Sequence, residues 1–189
     1  MAAENRRIRM TKALLNESFL KALEQKPLAR ITVKEICDDA DVNRSTYYVY
    51  YSDPYDQLSK LEQELMDDQT SLVDSFLREY PTGDDGFQKT ITKLLLYYRE
   101  KKKMLQILLG KYGDVHLEYD MLSFFAQKMI SSFAPGIQSS QEILQEYIFA
   151  ATGCFGLIFY WIMQECQEPP EILAKRIARL TASIREVNF

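Results

Sequence analysis

The chain has a single histidine, His116, in 189 residues, and its three cysteines, Cys37, Cys154 and Cys166, form no C-x-x-C pair. That scarcity excludes histidine-rich metal sites and paired-thiol zinc or redox centres, and leaves any histidine-based triad one candidate. His116 stands between Val115 and Leu117 with no Ser or Cys at an informative spacing, and reads as a partly buried or pocket-lining side chain. Glycine and proline are also few, seven and six, which argues against the turn-rich strands of a sandwich and the phosphate loops of a doubly wound α/β fold. No apolar run follows the charges at the start, Met1 to Arg7, so no signal or transit peptide is expected. The longest weakly polar stretch, Tyr147 to Met163, carries Thr152, Gly153 and Gly156; it falls short of the ~18 to 20 strongly apolar residues of a span, so a buried helix and no membrane are expected. Two acidic pairs, Asp67 with Asp68 and Asp84 with Asp85, read as solvated, because helix neighbours diverge by about 100° and the second pair falls in a loop. No catalytic residue, metal ligand or cofactor is therefore expected, and the chain is not expected to be an enzyme.

What is present is the material of a folded, mostly helical protein: 47% apolar and 26% charged residues. The odd cysteine count and apolar neighbours such as Ile36 and Phe155 suit reduced thiols packed in the cytoplasm. The net charge of −4 hides an asymmetry. Residues 1 to 37 hold eight basic side chains (Arg6, Arg7, Arg9, Lys12, Lys21, Lys26, Arg30, Lys34) against four acidic ones, so an acidic protein has a basic front end. A local field of that sign suits a polyanion bound through one end, or an ordinary solvated face.

Apolar residues Ile8, Leu15, Phe19, Ala22 and Leu23 recur at helical spacing and predict a first helix from Arg6 to Gln25, which Pro27 stops. Thr32 then reads as an N-cap in a capping box with Glu35, opening a short second helix through Ile36 and Ala40. After Asp41 and Val42, Asn43 can cap a third helix, Arg44 to Tyr51, so two short helices flank a tight turn: a helix-turn-helix in outline. Asp53 and Pro54 open a long fourth helix with a stripe of Leu58, Leu61, Leu65, Leu72 and Phe76. A loop from Pro81 to Gly86 precedes a fifth helix, Lys101 to Lys103 reads as a solvated end or turn, and Met104 to Leu109 forms a sixth segment. A seventh helix runs from about Asp114 to Phe133, an eighth from Gln141 to Gln164, and a ninth starts at Pro169 and Pro170.

The residues Thr32 to Leu58 resemble the helix-turn-helix signature of TetR-family transcriptional regulators, in Thr32, Ile36, Ala40, Val42, Thr46, Tyr47, Tyr48, Tyr51 and Leu58. The segment Glu146 to Gly153, leading to Tyr160 and Trp161, resembles a C-terminal subgroup of that family. Three positions depart from the pattern: Asp41 where glycine is usual, Tyr50 where histidine is frequent, and Pro54 where a phosphate-binding lysine is frequent. The resemblance implies an all-α fold, with a three-helix DNA-binding domain at residues 1–53 and a helical effector-binding and dimerisation domain at 54–189. It further implies a repressor relieved by a small molecule. Activation with a partner protein and no small ligand, or a protein-interaction module whose front end is merely basic, stays open.

The residue chemistry points the same way. Ser45 and Thr46 are small enough to let the third helix enter a major groove ~12 Å wide, Arg44 can reach a guanine edge or a phosphate, and Tyr48 and Tyr50 can donate to phosphate, while Tyr47 and Tyr51 pack inward. Thr32 and Lys34 open the second helix, where free N–H groups favour a phosphate. The expected partner is a palindromic duplex operator. In the eighth helix Ile148, Ala151, Phe155, Ile158 and Ile162 form one face and Phe149, Cys154, Leu157 and Trp161 another. One of the two wants a second copy of the chain, and small Ala151, Gly153 and Gly156 allow close approach in a four-helix bundle. Aromatic and methionine density predicts a small apolar effector held by Tyr98, Met104, Met121, Phe124, Phe125 and Phe149, although such a stripe is equally the material of a plain core.

Overall fold

A computed structural model describes residues 2–79, 84–133 and 141–186. Nine α-helices occur among them: α1 (Ala2–Gln25), α2 (Val33–Ala40), α3 (Arg44–Tyr50), α4 (Pro54–Glu79), α5 (Asp84–Glu100), α6 (Lys102–Leu108), α7 (Val115–Phe133), α8 (Gln141–Met163) and α9 (Pro170–Glu186). One 3-10 turn, Leu28–Arg30, follows α1, and no strand occurs among the described residues, so the chain is all-α as expected. One local expectation is corrected. Asp84 and Asp85 open α5 rather than lie in a loop, while Lys101 forms an exposed turn and Lys102 and Lys103 the first turn of α6, the helix end and turn expected there. Most of the loop expected from Pro81, and the break at Pro135 and Gly136, lie outside the described residues.

The chain divides into two compact units, Met1–Met66 with Ile107–Asp114, and Asp67–Gln106 with Val115–Phe189. In the first, α1 contributes Leu15, Phe19, Ala22 and Leu23 to a core completed by Ile36, Cys37 and Ala40 of α2 and Leu58, Leu61 and Leu65 of α4. Ile8, two turns before Leu15, stands outside that core. Lys21 pairs with Asp39, tying α1 to α2. The turn after α6 needs glycine at 113, where a Cβ would lie 1.7 Å from the carbonyl oxygen of Leu108.

In the second unit α5 packs on α8 and α9, and α8 on α7 and α9. Leu94, Leu95, Tyr98, Ala151, Ile158, Ala174 and Ile177 are all buried there. The Tyr98 hydroxyl donates to Gln69 Oε1 at 2.6 Å, fixing α5 to α4 inside the core. Lys128 of α7 pairs with Asp74 of α4. Over Leu144–Met163, 20 residues, α8 is long and apolar enough to cross a membrane, contrary to the shorter stretch read from the sequence; 44% of its most apolar 18-residue window is buried within the chain. The helix begins at Gln141, which brings Leu144 into the apolar run. Past its end Glu165 and Cys166 both take left-handed backbone, φ 61° and 52°. Lys102 donates to Glu165 Oε2 at 2.6 Å and Gln106 to Glu165 Oε1 at 2.8 Å and the Ile162 carbonyl at 2.9 Å, which satisfies the helix end. All three cysteines are free thiols in buried positions. Burial pushes the Cys37 and Cys166 thiols up, so both stay protonated and unreactive at neutral pH.

Buried phenols give the fold an alkaline limit. Burial raises Tyr47, Tyr97 and Tyr98 above the ordinary tyrosine range and pushes Tyr51 up to about 12. A phenol whose folded pKa exceeds its unfolded value of ~10 contributes stability that is complete below that pH and is lost as pH rises through the folded value. Ultraviolet titration of the native protein is therefore expected to ionise only part of its 12 tyrosines near pH 10, the rest ionising with unfolding at higher pH. Ionisation of all 12 near pH 10 with the helices intact would contradict these burials.

Candidate nucleic-acid interface

The second helix of the first unit starts at a capped end. Thr32 has extended backbone, and its hydroxyl accepts the Glu35 N–H at 3.3 Å. The reciprocal half of the expected capping box is replaced: the Glu35 carboxylate accepts from Lys26 Nζ at 2.7 Å, joining α2 to the end of α1. Thr32 and Lys34 are both exposed at this terminus. α2 ends at Asp41, whose φ of 51° and ψ of 44° are left-handed; its short side chain tolerates a conformation that costs most residues roughly 1–2 kcal/mol. Asp41 thus does the work of the usual glycine, and the Val42 N–H closes the turn on the Cys37 carbonyl at 3.0 Å.

Asn43 caps α3, as its side chain predicts. Asn43 Oδ1 accepts the Ser45 N–H at 3.0 Å and the Ser45 hydroxyl at 3.1 Å. That second bond uses the Ser45 proton, so the hydroxyl oxygen is left to act as an acceptor. The inner side of α3 is aromatic. Tyr47 and Tyr51 are buried with ring centroids 5.5 Å apart, and Tyr47 meets Tyr48 edge-on at 5.6 Å. The outer side carries Arg44, Ser45, Tyr48 and Val49, the last two 58% and 73% exposed, while Thr46 and Tyr50 sit half-buried at its edges. Sequence reasoning misses Val49. Its place four residues beyond Ser45 is the signal that could find it, since residues so spaced share a helix face.

The far end of α3 is fixed by its neighbours. The Tyr51 hydroxyl donates to Asn16 Oδ1 at 2.9 Å, and Gln57 Nε2 donates to the same oxygen at 3.0 Å and to the Leu15 carbonyl at 3.1 Å. Lys60 Nζ donates to the Tyr50 carbonyl at 2.9 Å and to Asp56 Oδ2 at 2.8 Å, with its charge 5.6 Å from the centre of the Tyr51 ring. A cation is thereby placed at the negative end of the helix dipole. The Lys60 ammonium and the Ser52 N–H together hold the Asp56 carboxyl below its usual range. Asp53 Oδ1 accepts the Asp56 N–H at 2.9 Å, so Asp53 caps α4 and Pro54 occupies its first position.

The second unit treats the expected effector residues unequally. Tyr98 and Met121 are buried, and Met104 and Phe124 are half-buried, with Lys128 Nζ 5.8 Å from the Phe124 ring centre. The Phe125 side chain lies outside the described residues. Phe149, expected beside them, is 76% exposed on the outer face of α8, and His116, expected to be partly buried, is exposed. Neither face of α8 read from the sequence is the free one as a whole: Ile162 of the first and Cys154 and Trp161 of the second are buried. Ala151, Phe155 and Ile158 are buried within the unit, whereas Ile148, Phe149, Thr152, Gly153, Gly156 and Tyr160 are exposed, with Ile172 and Leu180 of α9. Among the described residues, a Cβ added at Gly153 or Gly156 would meet nothing within 4 Å. The periodicity of a helix apolar nearly all round cannot tell which side its own bundle covers.

Residues 85–183 match the family profile of a transcriptional regulator C-terminal region. A curated relative, the uncharacterized HTH-type transcriptional regulator YxbF of Bacillus subtilis strain 168, is 22% identical over 177 residues, 92% of this chain. The chain spans 45% of that relative's length. The structure of the transcriptional regulator FadR from Bacillus subtilis in complex with stearoyl-CoA is similar with a TM-score of 0.68 at 16% identity, over 90% of this chain and 97% of that one. The dihydroxyacetone kinase operon activator DhaS is similar with a TM-score of 0.63 at 18% identity, over 94% and 97%. A TetR transcriptional regulator from Streptococcus agalactiae 2603V gives 0.59 at 18%, over 95% and 97%. At these identities the solved structures establish a shared fold.

Proposed function

Since the chain belongs to the TetR family of transcriptional regulators, we propose that it is a homodimeric, sequence-specific DNA-binding repressor relieved by a small apolar ligand. Residues 1–53 are the reading head and 54–189 the effector and dimerisation domain. The protein acts by binding rather than catalysis, in the cytoplasm with its DNA. The observation that carries the reading is α3: two buried tyrosines turn Arg44, Ser45 and Tyr48 outward on a helix short enough to lie within one groove. Arg44 reads a base edge, Ser45 presents its acceptor oxygen to a base amine, Thr46, Tyr48 and Tyr50 reach phosphate or sugar, and Thr32 and Lys34 hold a phosphate at the start of α2.

The homodimer draws support from the large apolar side chains that α8 and α9 leave exposed, Ile148, Phe149 and Tyr160 on the first and Ile172 and Leu180 on the second. The effector reading rests on Tyr98, Met104, Met121, Phe124 and Phe125 without Phe149. It draws support from FadR, a structural neighbour solved with stearoyl-CoA. A ligand that fits only the conformer with wrongly spaced reading heads lowers DNA affinity, and DNA lowers ligand affinity by the same factor. DhaS, an operon activator of the same fold, favours a second reading in which the chain activates with a partner protein and without a ligand.

Three outcomes are expected. Against a duplex selected from a random pool, Lys34→Ala weakens binding to all sequences and reduces the salt slope by about one unit, whereas Arg44→Ala costs ~1–3 kcal/mol and relaxes one position per half-site. Wild-type affinity in both variants would remove α2 and α3 from the interface. Phe149→Glu, on an exposed residue, is expected to give folded monomers by analytical ultracentrifugation and to lose tight operator binding, because one head alone forgoes the linked second site; persistence of the dimer would move the interface elsewhere. Thermal-shift screening of fatty acids and acyl-CoA esters is expected to find compounds that stabilise the protein less when operator is present, and a screen without any stabilising compound would favour the activator reading.

A further inference from the structure

We propose that Val49 makes each half-site require a thymine, by packing its isopropyl group against the thymine C5 methyl in the major groove. The inference rests on the proposed entry of α3 into that groove. Val49 is the one aliphatic side chain on the outer face of α3, 73% exposed between the polar groups of Arg44, Ser45 and Tyr48. With spacings of four residues, Arg44 and Tyr48 form one row on this face and Ser45 and Val49 the next, so a groove that receives Ser45 also receives Val49.

Valine can neither donate nor accept a hydrogen bond, and in the major groove the one apolar group on a base edge is the thymine methyl. Opposite the N7 and O6 of guanine or the amine of cytosine the same side chain would strip water from polar atoms and replace none of their bonds. Preference therefore has two sources, favourable apolar packing on thymine and a desolvation cost on the other bases. The branched side chain has few rotamers to lose on packing, so little of that advantage is cancelled by ordering.

The test replaces each thymine of the selected half-site by uracil, which deletes only the methyl, and compares the dissociation constants of the wild type and of Val49→Ala. Val49 is exposed, so the variant keeps the fold, which circular dichroism verifies. One uracil position is expected to weaken the wild type about fourfold per half-site, the factor for one methyl removed from an apolar environment, and to leave Val49→Ala unchanged. Selection with Val49→Ala is expected to relax that position alone. Equal responses of both proteins to every uracil, or a selected half-site without thymine, would overturn the assignment while leaving DNA reading by α3 intact. A wild type that selects no sequence would overturn both.

Discussion

A helix of seven residues cannot sustain itself in water, because nucleation costs more than so few hydrogen bonds return. α3 exists because Tyr47 and Tyr51 are sunk into the first unit, one turn apart on one side. Everything assigned to its outer face depends on that burial: with the inner side fixed by two large rings, the outer positions are free to carry residues chosen for what they meet. The arrangement is under some tension. Among the described residues the Tyr47 hydroxyl has no hydrogen-bond partner, a deficit of about 1–3 kcal/mol that the packing of the ring offsets.

The same logic fixes the exit of the helix. Asn16 receives both the Tyr51 hydroxyl and the Gln57 amide, so α1, the end of α3 and the start of α4 meet at one oxygen. Lys60 closes the remaining carbonyl while held by Asp56. Lys60, its side chain 50% exposed, is engaged at the end of α3, and Pro54 offers no cation of its own. The phosphate contacts of the proposed interface fall to α2 and to residues on α3 instead.

Much of this is legible in the sequence because caps and turns are local chemistry. Thr32, Asn43 and Asp53 each accept a backbone N–H within their own turn, and Asp41 takes left-handed backbone without help from distant residues. The legibility stops where the answer depends on a neighbour not encoded nearby. Glu35 is drawn from its capping role by Lys26, nine residues away. Phe155 and Phe149 are equally apolar, and the packing of α5, α7 and α9 on α8 decides that the first is covered and the second exposed. Val49 stays hidden because a hydrophobic residue in a short helix reads as core unless its phase against Tyr47 and Tyr51 is known.

Gly153 and Gly156 sit in the interior of a 23-residue helix, where each gives up about 0.8–1 kcal/mol of helix stability relative to alanine. Among the described residues nothing within 4 Å requires their missing side chains. The buried packing of the chain and the character of this exposed face are thus written in different residues of one helix. Substitutions at Ala151 or Ile158 disturb the buried packing, whereas side chains added at Gly153 or Gly156 stiffen the helix and change only its exposed surface. In the proposed homodimer, exchanges at these exposed positions change which copies of a chain pair with one another and leave the buried contacts that fold each copy in place.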